Sequence, residues 1–106
     1  MSKRETQISE EIQHAAADFL ARESNRESLI TVTRVELSPD LKKATIFFSV
    51  MPESYEKHAL DFTKRMRSDF KKYLYDHSRI GVRPLIDFEI DYGEKNRQRI
   101  DDLTRT

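Results

Sequence analysis

One stretch of strict alternation near the end of the chain limits the possible folds more than any other feature. Segment 85–92 alternates two sets of side chains, Ile86, Phe88, Ile90 and Tyr92 on one side and Leu85, Asp87, Glu89 and Asp91 on the other. Successive side chains of a strand point to opposite faces, so this pattern predicts a strand with one packed face and one wet face. The sheet that contains it is therefore expected to be covered on one face only.

Two earlier segments also have strand patterns. Leu29–Leu37 is rich in β-branched residues, but its alternation is imperfect, which predicts a bulge or burial on both faces. Ser38-Pro39-Asp40 favours a turn, because proline presets the backbone there. From Ala44 to Met51 the apolar side chains again occupy alternate positions. We expect these two segments to form a β-hairpin.

Two helical stripes could cover this sheet. A helix is predicted over residues 3–23, with capping-box spacing between Ser2 and Glu5. A second, continuous helix is predicted after Pro52, from Ser54 to Tyr75. The two apolar stripes recur every three or four residues and consist of Ile8, Ile12, Ala15, Ala16, Phe19 and Leu20, and of Ala59, Phe62, Met66, Phe70 and Tyr73.

The order of these elements defines the fold class. Helix–strand–strand–helix–strand predicts an α+β two-layer domain, with the helices on one face of a three-stranded sheet. We expect one domain over residues 1–93, followed by a short charged tail or helix over residues 94–106.

The composition argues against several classes of protein. The chain has no cysteine, which excludes disulfides and fits a reducing compartment such as the cytoplasm. No apolar run approaches the roughly 20 residues that span a bilayer, so no membrane partner is expected. With two glycines the chain cannot form a phosphate-binding glycine loop, and its three histidines are far apart, so we expect neither cofactor nor metal.

Catalysis has little support in the sequence. His77 follows Asp76 and could suggest acid–base chemistry in a small ribonuclease. No nucleophile or oxyanion-stabilising arrangement accompanies the pair, so we do not expect an enzyme.

The charges are unevenly distributed, although they sum to zero. Residues 57–83 contain eight Lys or Arg and only three Asp, whereas both flanking segments are acidic. Lys57, Lys64 and Lys71 recur every two helical turns and so share the face opposite the apolar stripe. Such a face can neutralise phosphates, although charged helix faces are often simply solvated. The candidate RNA contacts are Lys57, Lys64, Arg65, Arg67, Lys71, Lys72, Arg79 and Arg83, with Lys42 and Lys43 as secondary candidates.

The sheet offers an alternative interface, for a protein partner instead of RNA. A protein–protein adaptor without direct RNA contact could use the open sheet face around Phe47, or the acidic strand face of Asp87, Glu89 and Asp91. Binding that is insensitive to nuclease and salt would favour this alternative.

Three stretches carry a resemblance to a known family. They are the strand Ile30–Leu37 with Ser38-Pro39-Asp40-Leu41 and the strand from Ala44 to Val50, then Met66-Arg67-Ser68-Asp69-Phe70, and finally Arg83-Pro84 with Ile86, Phe88 and Asp91. In this order and spacing the chain resembles ribosome-binding factor A, a bacterial assembly factor of the small ribosomal subunit. It departs from the family pattern at Thr63-Lys64, where members usually carry a small pair that kinks the central helix.

The resemblance implies a type II KH-like fold without the Gly-x-x-Gly loop that KH domains normally use to hold RNA. It also implies binding to the immature small (30S) subunit and its rRNA, a role in late rRNA maturation and processing, and a link to cold adaptation. Release would be helped by a maturation GTPase or an initiation factor. We expect a cytoplasmic, non-enzymatic monomer.

Overall fold

The computed structural model describes residues 3–24 and 27–93. Its elements follow the predicted order, with one helix more than expected. They are α1 (Lys3–Glu23), β1 (Leu29–Leu37), β2 (Lys43–Met51), a short 3₁₀ turn (Glu53–Tyr55), α2 (Glu56–Arg65), α3 (Arg67–His77) and β3 (Leu85–Ile90). None of the helices in this part of the chain is long and apolar enough to cross a membrane.

The sheet has the strand order β1-β2-β3 and contains both strand directions. β1 and β2 form the predicted antiparallel hairpin, whose register shifts between Val32 and Arg34. Of the two alternatives predicted for β1, the bulge is therefore confirmed. β3 runs parallel to β2, from the pair Lys43–Leu85 to the pair Phe48–Ile90. A parallel pair needs a long crossover connection, and here α2 and α3 provide it.

Polar side chains fix the hairpin loop. The hydroxyl of Ser38 donates to Asp40 Oδ1 at 2.6 Å, and the same carboxylate accepts the backbone N–H of Lys42 at 3.1 Å. These hydrogen bonds to the charged form hold the pKa of Asp40 below its ordinary value of 3.8. The loop continues through Leu41 at φ 60°, a left-handed conformation that is rare for a branched side chain.

The core forms where the helices meet the inner face of the sheet. Phe70 of α3 is fully buried and lies at its centre, with ring centroids 5.3 Å from Phe19 of α1 and 5.7 Å from Phe88 of β3. Such edge-to-face contacts add to the apolar burial that holds the two layers together. The stripe predicted for the first helix is buried except for the half-buried Ala15. Of the second stripe Ala59 and Phe70 are buried and Phe62, Met66 and Tyr73 are half-buried, while Thr63 and Leu74 are buried in addition.

The continuous helix predicted from Ser54 to Tyr75 is wrong, because the chain breaks between α2 and α3 at Met66. The N–H of Met66 is shared between the carbonyls of Phe62 and Thr63, both at 3.1 Å, and its backbone lies at φ −91°, ψ 5°. The helix tightens there and resumes when the N–H of Phe70 donates to the Met66 carbonyl at 2.8 Å. Two helices therefore cross the sheet in place of one.

The prediction for the end of the last strand is also wrong. β3 ends at Ile90, so Tyr92 lies outside the strand and is 62% exposed, while Asp91 is only 3% exposed. Asp91 Oδ2 accepts hydrogen bonds from Thr33 Oγ1 at 2.5 Å and from Arg34 Nε at 3.3 Å, at the bulge of β1. The predicted cap at Ser2 and the tail over residues 94–106 lie outside the described residues.

Candidate nucleic-acid interface

Lys64, at the centre of the predicted basic band, is bound to two carboxylates. Its Nζ lies 2.6 Å from Asp87 Oδ1 and 2.8 Å from Glu89 Oε1. Both acids belong to the edge strand β3, and the lysine belongs to the last turn of α2. The sequence showed few acids on the helix itself, but the fold supplies these two from elsewhere. The charge of Lys64 is therefore already balanced within the protein.

Arg67 also has partners within the fold. Its Nε donates to the carbonyl of Lys64 at 2.9 Å, and its Nη1 lies 3.5 Å from Asp87 Oδ1. The first contact satisfies a carbonyl that the helix break leaves without its usual partner. Arg67 thus caps the end of α2, and its guanidinium remains half exposed.

The pKa values of this group reflect two opposing effects. Burial raises the pKa of Asp87 and lowers that of Lys64, but the hydrogen bonds and charge attraction between them act in the opposite direction and prevail. The pKa of Asp87 therefore lies below 3.8 and that of Lys64 above 10.5. Both groups are charged at neutral pH, so β3 does not present a free acidic strip.

Three other predicted cations gather around one cleft between α3 and the segment 78–84. The cleft has a volume of ≈ 450 Å³, and Lys71, Lys72 and Arg83 line it. Its remaining lining includes the apolar side chains of Leu74, Ile80, Val82 and Pro84 and the ring of Tyr75. Within residues 3–24 and 27–93, no carboxylate lines it. Among the described residues, none of these three cations has a carboxylate within ion-pair distance.

An aromatic residue and a cation meet at the rim of this cleft. The guanidinium carbon of Arg83 lies 3.8 Å from the centroid of the Tyr75 ring, a close cation–π contact. Tyr75 remains 58% exposed with Arg83 in place. The segment turns at Gly81, whose φ of 73° favours glycine. The sequence did not single out Tyr75, because its position in the chain gives no sign of a partner eight residues later.

The hairpin loop approaches the same end of the molecule. The N–H of Leu85 donates to the carbonyl of Lys42 at 2.8 Å, and Lys43 pairs with Leu85 in the parallel register. The secondary candidates are thereby brought next to the segment that carries Arg83. We call these five residues, Lys42, Lys43, Lys71, Lys72 and Arg83, the basic end.

The remaining candidates are distributed elsewhere. Arg79 lines a groove between α1 and α3 together with Glu10, Glu11 and Asp18, and Arg65 lines a cavity beside Tyr55. Lys57 is exposed near the start of α2. The ten predicted positions therefore do not form one continuous band.

The residues considered for a protein interface or for catalysis have contacts within the fold. The ring of Phe47 lies under the guanidinium of Arg34, 3.9 Å from its centroid, and Asp91 is buried. His77 stacks on Tyr73 with centroids 4.2 Å apart, and its Nδ1 lies 2.9 Å from the Tyr73 carbonyl. Within residues 3–24 and 27–93, no three His, Cys, Asp or Glu side chains are grouped to hold a metal ion.

Comparison with known proteins shows which family this chain belongs to. The profile of the family described as ribosome-binding factor A matches residues 4–104. The chain belongs to the ribosome-binding factor A family. It is 30% identical to a ribosome-binding factor A of Rhodopseudomonas palustris over 99% of this chain and 80% of that protein. A ribosome-binding factor A of Chelativorans is 29% identical, over 99% of this chain and 83% of that protein.

A solved structure supports the ribosome-binding factor A fold independently. The crystal structure of ribosome-binding factor A from Thermus thermophilus superposes with a TM-score of 0.71 and 21% identity, over 80% of this chain and 93% of that one. The resemblance drawn from the three sequence stretches is thus confirmed, and so is the KH-like α+β fold. In this member of the ribosome-binding factor A family, the turn between α2 and α3 is Met66 and contains no glycine.

Proposed function

We propose that this protein is a ribosome assembly factor that binds the rRNA of an immature small ribosomal subunit through the basic end. The observation that carries the proposal is the gathering of Lys71, Lys72 and Arg83 around one cleft that no carboxylate of the described residues lines. Membership of a family named for ribosome binding gives this surface its expected partner.

The basic end suits a polyanion because its cations are available. Lys64 and Arg67 already have partners in the fold, so an RNA would have to compete with Asp87 for them. Lys71, Lys72 and Arg83 can neutralise phosphates and release counterions without breaking an existing ion pair. Contacts of this kind position a protein on RNA without reading its sequence. The RNA site is therefore limited to the basic end, and Lys57, Arg65 and Arg79 become secondary candidates for RNA contact.

The proposed action is binding without catalysis. A protein that binds one rRNA conformation more tightly than another shifts the population toward that conformation. In this way it assists late rRNA maturation and processing in the cytoplasm, as a monomer. When the subunit matures and the favoured conformation is lost, affinity falls. A maturation GTPase or an initiation factor would then complete the release.

Co-sedimentation with purified small subunits, immature and mature, over a salt series tests this proposal. We expect binding that is stronger for immature subunits and weakens with salt. The triple variant Lys71→Glu, Lys72→Glu, Arg83→Glu should lose at least about tenfold in affinity. Its salt slope should be smaller by about one for each phosphate that the variant no longer neutralises.

A matched control changes the net charge by the same amount at other exposed sites, with Lys57→Glu, Arg65→Glu and Arg79→Glu. We expect this control to retain most of the affinity. Equal losses in both variants would contradict the assignment to the basic end. Wild-type affinity in the first variant would remove the proposed site altogether.

The adaptor alternative finds less support in this geometry. Its acidic surface is occupied by the Lys64 pairs and by the burial of Asp91, and Arg34 covers Phe47. Binding to small subunits that resists both nuclease treatment and high salt would favour it over the rRNA proposal.

A further inference from the structure

We propose that the cleft between α3 and segment 78–84 receives one unpaired base of a single-stranded RNA segment, which adds to the Tyr75–Arg83 stack. This inference rests on the proposed function and deepens it, because it separates two roles at the basic end. The lysines hold the phosphates, and the cleft holds a base.

The size and the lining of the cleft suit a single nucleotide. Its ≈ 450 Å³ falls within the range of about 300–1,000 Å³ that is usual for small-molecule sites. Apolar side chains of Ile80, Val82 and Pro84 form part of its wall, while Lys71 and Lys72 stand beside them on α3. A nucleotide is divided in the same way, because its base has a flat, largely apolar face that suits the apolar wall and its phosphate is an anion that suits the lysines.

The rim carries the contact by which unpaired bases are usually held. Bases splayed out from RNA stack on aromatic rings and on guanidinium planes. Here Arg83 already lies 3.8 Å from the Tyr75 ring centroid, and 58% of Tyr75 remains exposed. Both planes are thus positioned before any ligand arrives, which reduces the ordering that binding requires.

The charge of the lining selects the occupant. In the part of the chain that the structure describes, no carboxylate lines this cleft, in contrast to the groove between α1 and α3, which holds Glu10, Glu11 and Asp18. The cations of this cleft therefore attract an anionic ligand such as RNA, whereas the carboxylates of that groove repel it. A paired A-form helix keeps its base faces within the stack, so only unpaired nucleotides could reach the apolar wall.

Fluorescence anisotropy with two labelled RNAs tests the inference on the full chain. One probe is a mixed-sequence single strand of about ten nucleotides, within the usual site size for single-strand binders, and the other is a duplex with a similar number of phosphates. Tyr75→Leu should weaken single-strand binding about 5- to 150-fold, the loss expected for one stacked base, and leave duplex binding unchanged. Tyr75→Phe should bind both probes as the wild type does.

Two controls separate this inference from the proposed function. Tyr92→Leu makes the same change at a tyrosine of similar exposure outside the cleft, and it should not alter binding to either probe. Lys71→Glu with Lys72→Glu should weaken binding to both probes. If Tyr75→Leu binds the single strand normally while the lysine variant fails, the base site is overturned and the proposed function stands. If the lysine variant also binds normally, both are overturned.

Discussion

Lys64 Nζ lies 2.6 Å from Asp87 Oδ1 and joins the end of α2 to the edge strand β3. The lysine side chain is 30% exposed and the aspartate 21%, so water screens the pair only in part. A cation that the sequence assigned to RNA thus contributes to holding the helical layer against the sheet.

Removing this cation should therefore affect stability. We expect Lys64→Met to lower the free energy of unfolding by about 1–2 kcal/mol, because Glu89 loses its charged donor and Asp87 keeps only one charged donor, Arg67, at the longer distance of 3.5 Å. Urea denaturation followed by circular dichroism measures the change. Lys57→Met, at an exposed position in the same helix, should stay within about 0.5 kcal/mol of the wild type. An equal loss in the two variants would argue against a stabilising role for the ion pairs of Lys64 with Asp87 and Glu89.

The same pair predicts how stability depends on pH. The pKa of Asp87 is lowered in the folded state, so its contribution is present above the unfolded value and is lost as the pH falls through the folded pKa. The pKa of Lys64 is raised, so its contribution is present below 10.5 and is lost as the pH rises through the folded pKa. Denaturation midpoints across pH should decline at both ends, less steeply in Lys64→Met. A variant curve parallel to the wild type would exclude the pair as the cause.

Asp91 gives a prediction at the other end of β3. We expect Asp91→Ala to cost about 1–2 kcal/mol, because Arg34 Nε loses its charged acceptor and Thr33 Oγ1 keeps only the carbonyl of Phe47, at 3.2 Å. Asp76→Ala removes an exposed carboxylate near the end of α3 and should change little. Thermal unfolding compares the two. Similar midpoints for both variants would show that the bulge does not depend on Asp91.

The hairpin loop can be tested without denaturing the protein. Carbon-detected NMR titration of the carboxyl groups should give a pKa for Asp40 below 3.8. Ser38→Ala removes the hydroxyl that donates at 2.6 Å and should bring this pKa back toward 3.8. A pKa for Asp40 that does not respond to Ser38→Ala would mean that the hydroxyl does not hold the carboxylate in solution.

The sequence predicted those features that depend on local periodicity. The bounds of α1 and β1 and the bulge in β1 follow from which faces are apolar, and the hairpin follows from Ser38-Pro39-Asp40. The break at Met66 could not be predicted in the same way. No proline or glycine marks it, and the apolar spacing of Phe62, Met66 and Phe70 continues across it.

The candidate site was harder to predict because its geometry depends on distant parts of the chain. Lys64 meets acids that lie 23 and 25 residues further along, so its charge appeared free in the sequence. Tyr75 became a candidate only when the loop placed Arg83 over its ring. Alternation placed Asp91 on the wet face, but it could not show that the bulge of β1 provides donors there.

The parallel pairing of β3 with β2 has a consequence for the order in which the molecule assembles. The β1–β2 hairpin closes a short loop, whereas the pair Lys43–Leu85 requires the chain to return over both helices first. We expect β3 to dock late in folding and its amide hydrogens to exchange early under native conditions. The segment that walls the cleft leads directly into this strand, so a ligand bound there would favour the docked strand and slow that exchange.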